Sequence, residues 1–98
     1  MNIAKKLEDK KLTISIDGRL DTSTAPELDE ELKATLDGVE ELVMDFSGME
    51  YISSAGLRVL LSAQKVMNTQ GEMIVTGAND TVMEIFDITG FTDILTIR

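Results

Sequence analysis

Leu42-Val43-Met44-Asp45-Phe46 is followed, after a polar stretch, by Ser53-Ser54-Ala55-Gly56-Leu57-Arg58-Val59-Leu60-Leu61. The first run is almost continuously apolar and predicts a strand covered on both faces. Residues Ser47 to Ile52 are polar enough to predict a loop. From about Ser54 to Thr69 the spacing changes to that of a helix. Leu57, Val59, Leu60, Leu61, Ala63, Val66 and Met67 cover most of its circumference, leaving Arg58, Ser62, Lys65 and Thr69 on one thin polar stripe. A buried strand feeding a buried helix is the centre of a βαβ unit, and the flanking sequence repeats the pattern on both sides.

Upstream, Lys11 to Asp17 alternates, with Leu12, Ile14 and Ile16 on one side and Thr13, Ser15 and Asp17 on the other. Period two with β-branched residues predicts a strand with one solvated face. Ile3 to Glu8 supplies a partner strand across a turn at Asp9-Lys10, and Gly18 ends the longer strand or lets it bend. Thr24-Ala25-Pro26-Glu27 has the form of a helix start, with Thr24 as cap, Pro26 in the first turn and Glu27 at the capping-box position. Leu28, Leu32 and Leu36 then recur every four residues, Glu30, Glu31 and Lys33 face water, and Asp37-Gly38 closes the helix.

Downstream, Gly71 stops the central helix and Met73 to Thr76 forms another strand. Asn79 or Asp80 caps a third helix carrying Val82, Met83, Ile85 and Phe86. Gly90 ends it, and Ile94 to Ile97 is a last edge strand or helical turn. Strands alternating with helices require right-handed crossovers and a largely parallel sheet. The expected fold is α/β: one domain over residues 1–98, with a small, mostly parallel mixed sheet that has an N-terminal antiparallel strand and is flanked by three or four helices.

Composition narrows the function. The 98 residues hold 9 Lys and Arg against 18 Asp and Glu, a net charge of −9. Nucleic acids and anionic membranes are therefore poor partners, since both bind through cations. Cys and His are absent, which removes thiolate and imidazole nucleophile systems and the commonest transition-metal ligands. No D-x-D-x-D-G run offers a calcium loop. The chain is thus expected to be no enzyme and to need no metal or cofactor. The N-terminus lacks an apolar stretch of signal-peptide length, so the expected location is the cytoplasm.

In open α/β sheets, chemistry gathers beyond the carboxyl ends of the strands. Two loops meet there: Gly18-Arg19-Leu20-Asp21-Thr22 and the segment ending in Ser53-Ser54. A hydroxyl at a helix start can be the N-cap, worth about 1 kcal/mol. It can also be a phosphorylation site, because a phosphate there meets free N–H groups and the positive end of the helix dipole. Gly56 either leaves room for a partner's backbone or packs tightly on the sheet. Asp21 is either a turn residue or part of the site.

Asp45 through Leu61, with Tyr51-Ile52-Ser53-Ser54-Ala55-Gly56-Leu57 at its centre, resembles the signature of STAS domains of the bacterial anti-sigma factor antagonist type. Gly18-Arg19-Leu20-Asp21 with Ala25, Gly71-Glu72-Met73, Ile85-Phe86 and Thr89-Gly90-Phe91 resemble the family's other blocks in order along the chain. The resemblance implies a partner-switching protein. Unphosphorylated, it binds an anti-sigma factor that is also a serine kinase, and so releases a sigma factor. Phosphorylation of a serine ends the complex, and a metal-dependent serine phosphatase restores it. Aligned on Gly56-Leu57, the acceptor falls on Ser54, with Ser53 as the alternative, standing where the family usually has Asp. The implied partner surface is Asp21, Thr22, Ser53, Ser54, Gly56 and Arg58, on a protein that is a monomer when free. The alternative reading is a STAS module outside sigma regulation, a protein- or ligand-binding part of a sensory or lipid-transport assembly.

Overall fold

In a computed structural model, which describes all 98 residues, the elements alternate as the sequence predicts. Strands β1 (Asn2–Glu8) and β2 (Lys11–Leu20) precede helix α1 (Ala25–Thr35). Strand β3 (Glu41–Ile52), helix α2 (Ser54–Gln70), strand β4 (Glu72–Thr76), helix α3 (Asp80–Thr89) and strand β5 (Thr96–Ile97) follow. A short 3-10 turn, Phe91–Asp93, leads into β5. The sheet order is β1-β2-β3-β4-β5; β1 is antiparallel to β2 and every other pair is parallel.

Each parallel pair is joined by a helix and each new strand adds on the same side of the last. Right-handed crossovers in that order put all the helices on one face. Burial agrees. Leu12, Ile14 and Ile16 of β2 and Leu42, Met44 and Phe46 of β3 join the helices' apolar residues in one core cluster of 24. The other face carries the cross-strand row Lys6, Thr13, Val43, Ile74 and Thr96. Ile74 is buried there yet lies outside the core cluster. Val43 is half-buried, so β3 is covered on one face and not, as its apolar run predicts, on both.

Ser47 to Ile52 is strand rather than loop. Ser15 pairs with Asp45 but Asp17 pairs with Gly48, so β3 carries an extra residue, and a second register shift lies between Gly18 and Arg19. Bulges of this kind break the alternation that would reveal a strand in the sequence. Asp45 holds the first one: its Oδ1 accepts from the Ser47 amide at 3.0 Å and the Ser47 hydroxyl at 2.6 Å. Gly18, at φ +99°, holds the second, so β2 bends there and continues to Leu20.

Three smaller expectations change. Thr24 stands at the N-cap of α1 but makes no side-chain cap bond; its hydroxyl is used elsewhere, as described below. Glu31 does not simply face water, because Lys5 of β1 brings its ammonium within 2.7 Å. Val66 is 43% exposed rather than buried, since it falls between α1 and α2 where neither helix covers it. Asn79 is the cap of α3, accepting from the Val82 amide at 2.8 Å and donating to the Met49 carbonyl at 3.0 Å, which ties α3 to the end of β3. No helix is long and apolar enough to cross a membrane.

Candidate functional site

The site lies where β2 and β3 end side by side. Leu20 pairs with Ile52 in the sheet, and the Ser53 amide continues the ladder by donating to the Leu20 carbonyl at 2.9 Å. Ser53 is extended, at φ −99° and ψ 176°, and is the N-cap of α2. Its hydroxyl accepts from the Gly56 amide at 3.5 Å. Ser54, the first residue of the helix, is exposed, and its hydroxyl makes no hydrogen bond within the chain. Of the two adjacent serines, one is thus engaged as the helix cap and the other is left exposed and free.

Gly56 does not share the surface with Ser54. It is buried, and a Cβ there would come within 2.8 Å of both Ile52 Cγ1 and Leu20 Cγ. Of the two sequence readings, this is the tight packing of helix on sheet. It lets α2 begin directly against the strand ends and so sets the height at which Ser54 stands.

Asp21 builds the facing loop. Its Oδ1 accepts from the Ser23 hydroxyl at 2.8 Å, the Ser23 amide at 3.0 Å and the Thr24 amide at 3.2 Å. The Ser23 hydroxyl first, and then the backbone donors of Ser23 and Thr24, hold the Asp21 carboxyl below the usual carboxylate range. Thr24 closes the same turn from the other side. Its Oγ1 accepts from the Asp21 amide and donates to the Arg19 carbonyl, both at 2.8 Å, which is why it is not free to cap α1. Asp21 is therefore an ionised, half-buried turn residue, and Thr22 is presented at the tip of that turn, exposed.

Two arginines lie near these strand ends. Arg58 lies one helical turn after Ser54, exposed, with no carboxylate within 4 Å. Arg19 at the end of β2 lies over the ring of Tyr51, 4.5 Å from its centroid, with Nε 3.9 Å from Asp21 Oδ2. Sequence reading includes Arg19 and Tyr51 in its motifs but gives neither a role. Their register across β2 and β3 is the signal, and it depends on the bulges that the sequence conceals. No group of three or more Asp and Glu residues converges as a metal site would require. The arrangement is an exposed, unpartnered hydroxyl at a capped helix start, near an anionic turn and with Arg58 one turn along the helix.

Comparison with known proteins identifies the family. A family model described as the STAS domain matches residues 2–98. BtrV of Bordetella bronchiseptica, named as an anti-sigma factor antagonist, is 37% identical over 91 residues, covering 91% of this chain and 78% of that one. An anti-sigma factor antagonist from Mycobacterium paratuberculosis superposes with a TM-score of 0.88 at 23% identity, over 98% of this chain and 83% of that one. The Bacillus cell fate determinant SpoIIAA in its phosphorylated form superposes with a TM-score of 0.77 at 14% identity, over 99% of this chain and 91% of that one.

Proposed function

The chain belongs to the STAS-domain family, and on that premise we propose that it is an anti-sigma factor antagonist switched by phosphorylation of Ser54. The unphosphorylated chain binds an anti-sigma factor that is also a serine kinase, and the bound sigma factor is released. The observation that carries this reading is the Ser54 hydroxyl: exposed, without a partner, and fixed by the capped start of a 17-residue helix.

The chemistry follows from what the chain has and lacks. With neither His nor Cys, it acts as phosphoryl acceptor, and the kinase supplies ATP, Mg²⁺ and the base. Ser54 Oγ attacks the γ-phosphorus, the bond to the β,γ-bridging oxygen breaks, ADP leaves, and the hydroxyl proton passes to the kinase's base. Ser53, Thr22, Asp21 and Arg58 surround the acceptor as the docking surface, with Gly56 beneath it as packing. Phosphoserine then carries nearly two negative charges at the contact, and repulsion from the nucleotide's own phosphates drives the complex apart. A metal-dependent phosphatase reverses the step, with water attacking phosphorus and inorganic phosphate leaving. The dependence on ATP puts the cycle in the cytoplasm.

The test is intact-mass measurement after incubation with the anti-sigma kinase and Mg·ATP, together with sedimentation of the mixture. A complex before ATP, then one added phosphate and dissociation, is the expected result. No complex and no phosphate would assign the chain instead to a STAS module outside sigma regulation.

A further inference from the structure

Seven of the nine cationic side chains lie within 4 Å of a carboxylate. Arg58 and Lys65 do not, and both project from α2, a helix with no Asp or Glu at all in a chain that has 18. At 100° per residue, Ser54, Arg58, Ser62 and Lys65 fall on one stripe about 16 Å long. The free positive charge of a protein of net charge −9 is therefore collected on one line that begins at Ser54.

Beside that line runs a groove between α1 and α2. A cavity of about 340 Å³ starts next to Ser54, between Thr22, Pro26, Ala55 and Arg58. It shares Asp29, Val59 and Ser62 with a second cavity of about 470 Å³ that continues along Leu32, Leu36, Ala63 and Val66 to Gln70. Gln70 closes the far end, donating to the Leu36 and Val39 carbonyls at 2.6 and 2.7 Å. On the α1 wall, Asp29 is tied to Lys33 at 2.8 Å and Asp37 stands at the far end of the second cavity, so the floor is apolar and the unpaired cations are on the α2 rim. Val66 stands open in this floor.

We infer that this groove seats an amphipathic helical segment of the anti-sigma factor, with apolar residues toward Val59, Ala63 and Val66 and Asp or Glu along the flank that faces Arg58 and Lys65. A helix fits the space between two helices, and the unpaired cations select an acidic one. This rests on the reading of the chain as an anti-sigma factor antagonist, and it deepens the switch. Phosphoserine at position 54 lies one helical turn from Arg58 and offsets its charge, so phosphorylation weakens the near end of the groove as well as the contact at the serine.

The test is titration calorimetry of the purified anti-sigma factor with the wild-type chain and the Lys65→Glu, Val66→Asp and Lys10→Glu variants. All three changes are at exposed positions, and circular dichroism checks that each variant is folded, with Lys65→Ala as the milder replacement. Lys65→Glu and Val66→Asp should each weaken binding about tenfold or more, and Lys10→Glu, with the same change in net charge, by no more than about twofold. Equal effects from Lys65→Glu and Lys10→Glu, or wild-type affinity in Val66→Asp, would overturn the groove while leaving the sigma reading in place. Wild-type chain that binds no anti-sigma factor removes both. Retention of the wild-type chain, but not of Lys65→Glu, on phosphatidylglycerol vesicles would assign the stripe to a membrane surface and overturn the inference.

Discussion

The amide of Ser53 donates to the carbonyl of Leu20 at 2.9 Å, so the last bond of the β2–β3 ladder is also the first restraint on α2. Through it, the cap of the helix and the loop bearing Asp21 are built on the same pair of buried strand ends. Ser54 stands on a rigid platform made of residues that never meet a partner.

Separating the two serines is the first prediction. Ser54→Ala should fold as the wild type, bind the kinase and take up no phosphate. Ser54→Asp should bind more weakly than wild type but more tightly than the phosphorylated chain, because it adds one charge where phosphate adds nearly two. Ser53→Ala should lose about 0.5–1 kcal/mol in urea denaturation, toward the low end of cap values because its bond to Gly56 is long, and still be phosphorylated. Phosphate on Ser54→Ala and none on Ser53→Ala, by mass spectrometry, would exchange the assignments.

Gly56→Ala should destabilise the chain although alanine is the better helix former. The added methyl meets Leu20 and Ile52, both fully buried, at an overpacking cost of about 1–3 kcal/mol. Helix propensity returns about 1 kcal/mol of that. A fall in the urea midpoint at an unchanged slope is the expected signature, and a gain in stability would show that the platform is softer than its packing implies.

Acid should loosen two turns. Asp21 is held below its ordinary pKa by Ser23 and Thr24, and Asp45 by the hydroxyl and amide of Ser47 and then Ser15. A lowered folded pKa stabilises fully above the unfolded value of about 4, and the contribution is lost as the pH falls through the folded value. Asp21→Asn and Asp45→Asn keep an acceptor oxygen but no charge. Each should lower the melting temperature near neutral pH and flatten its fall in acid, converging on the wild type at the lowest pH. Parallel curves would mean that neither carboxylate is engaged in solution.

Once phosphorylated, position 54 should sense Arg58. A cation one turn away stabilises the dianion and draws the second phosphoserine pKa below its usual value of about 6. Arg58→Gln should raise it by up to about half a unit, given 1.36 kcal/mol per unit, as read from the ³¹P chemical shift against pH. An unmoved titration would direct Arg58 toward the partner alone.

What the sequence discloses here depends on whether a residue's partner is near in the chain. Leu28, Leu32 and Leu36, the alternation around Ile14, and Asn79 and Ser53 as caps are all local patterns, and the structure repeats them. The end of β3 is not local: Asp45 and Gly18 create bulges that shift the register, so a strand with Ser47, Gly48 and Glu50 reads as a loop. Val43 likewise looks fully covered because apolar content does not say which face the helices take; the strand order does. Thr24 has the right chemistry for a cap, but it lies nearer to Asp21 and Arg19. Of the candidate site, the capping serine at the start of α2 and the turn at Asp21 are legible in the sequence, and the stacking of Arg19 on Tyr51 is not.

The strand order has a kinetic consequence as well. Strand n always pairs with strand n−1, and Met44 finds Ile14, or Met73 finds Leu42, across only about thirty residues. No strand has to wait for a later one to be inserted beside it. As the chain leaves the ribosome, each βα unit closes onto an edge already formed, and the short β5 is the final piece. The helix that begins at Ser54 can thus pack on β2 and β3 before β4, α3 and β5 are added.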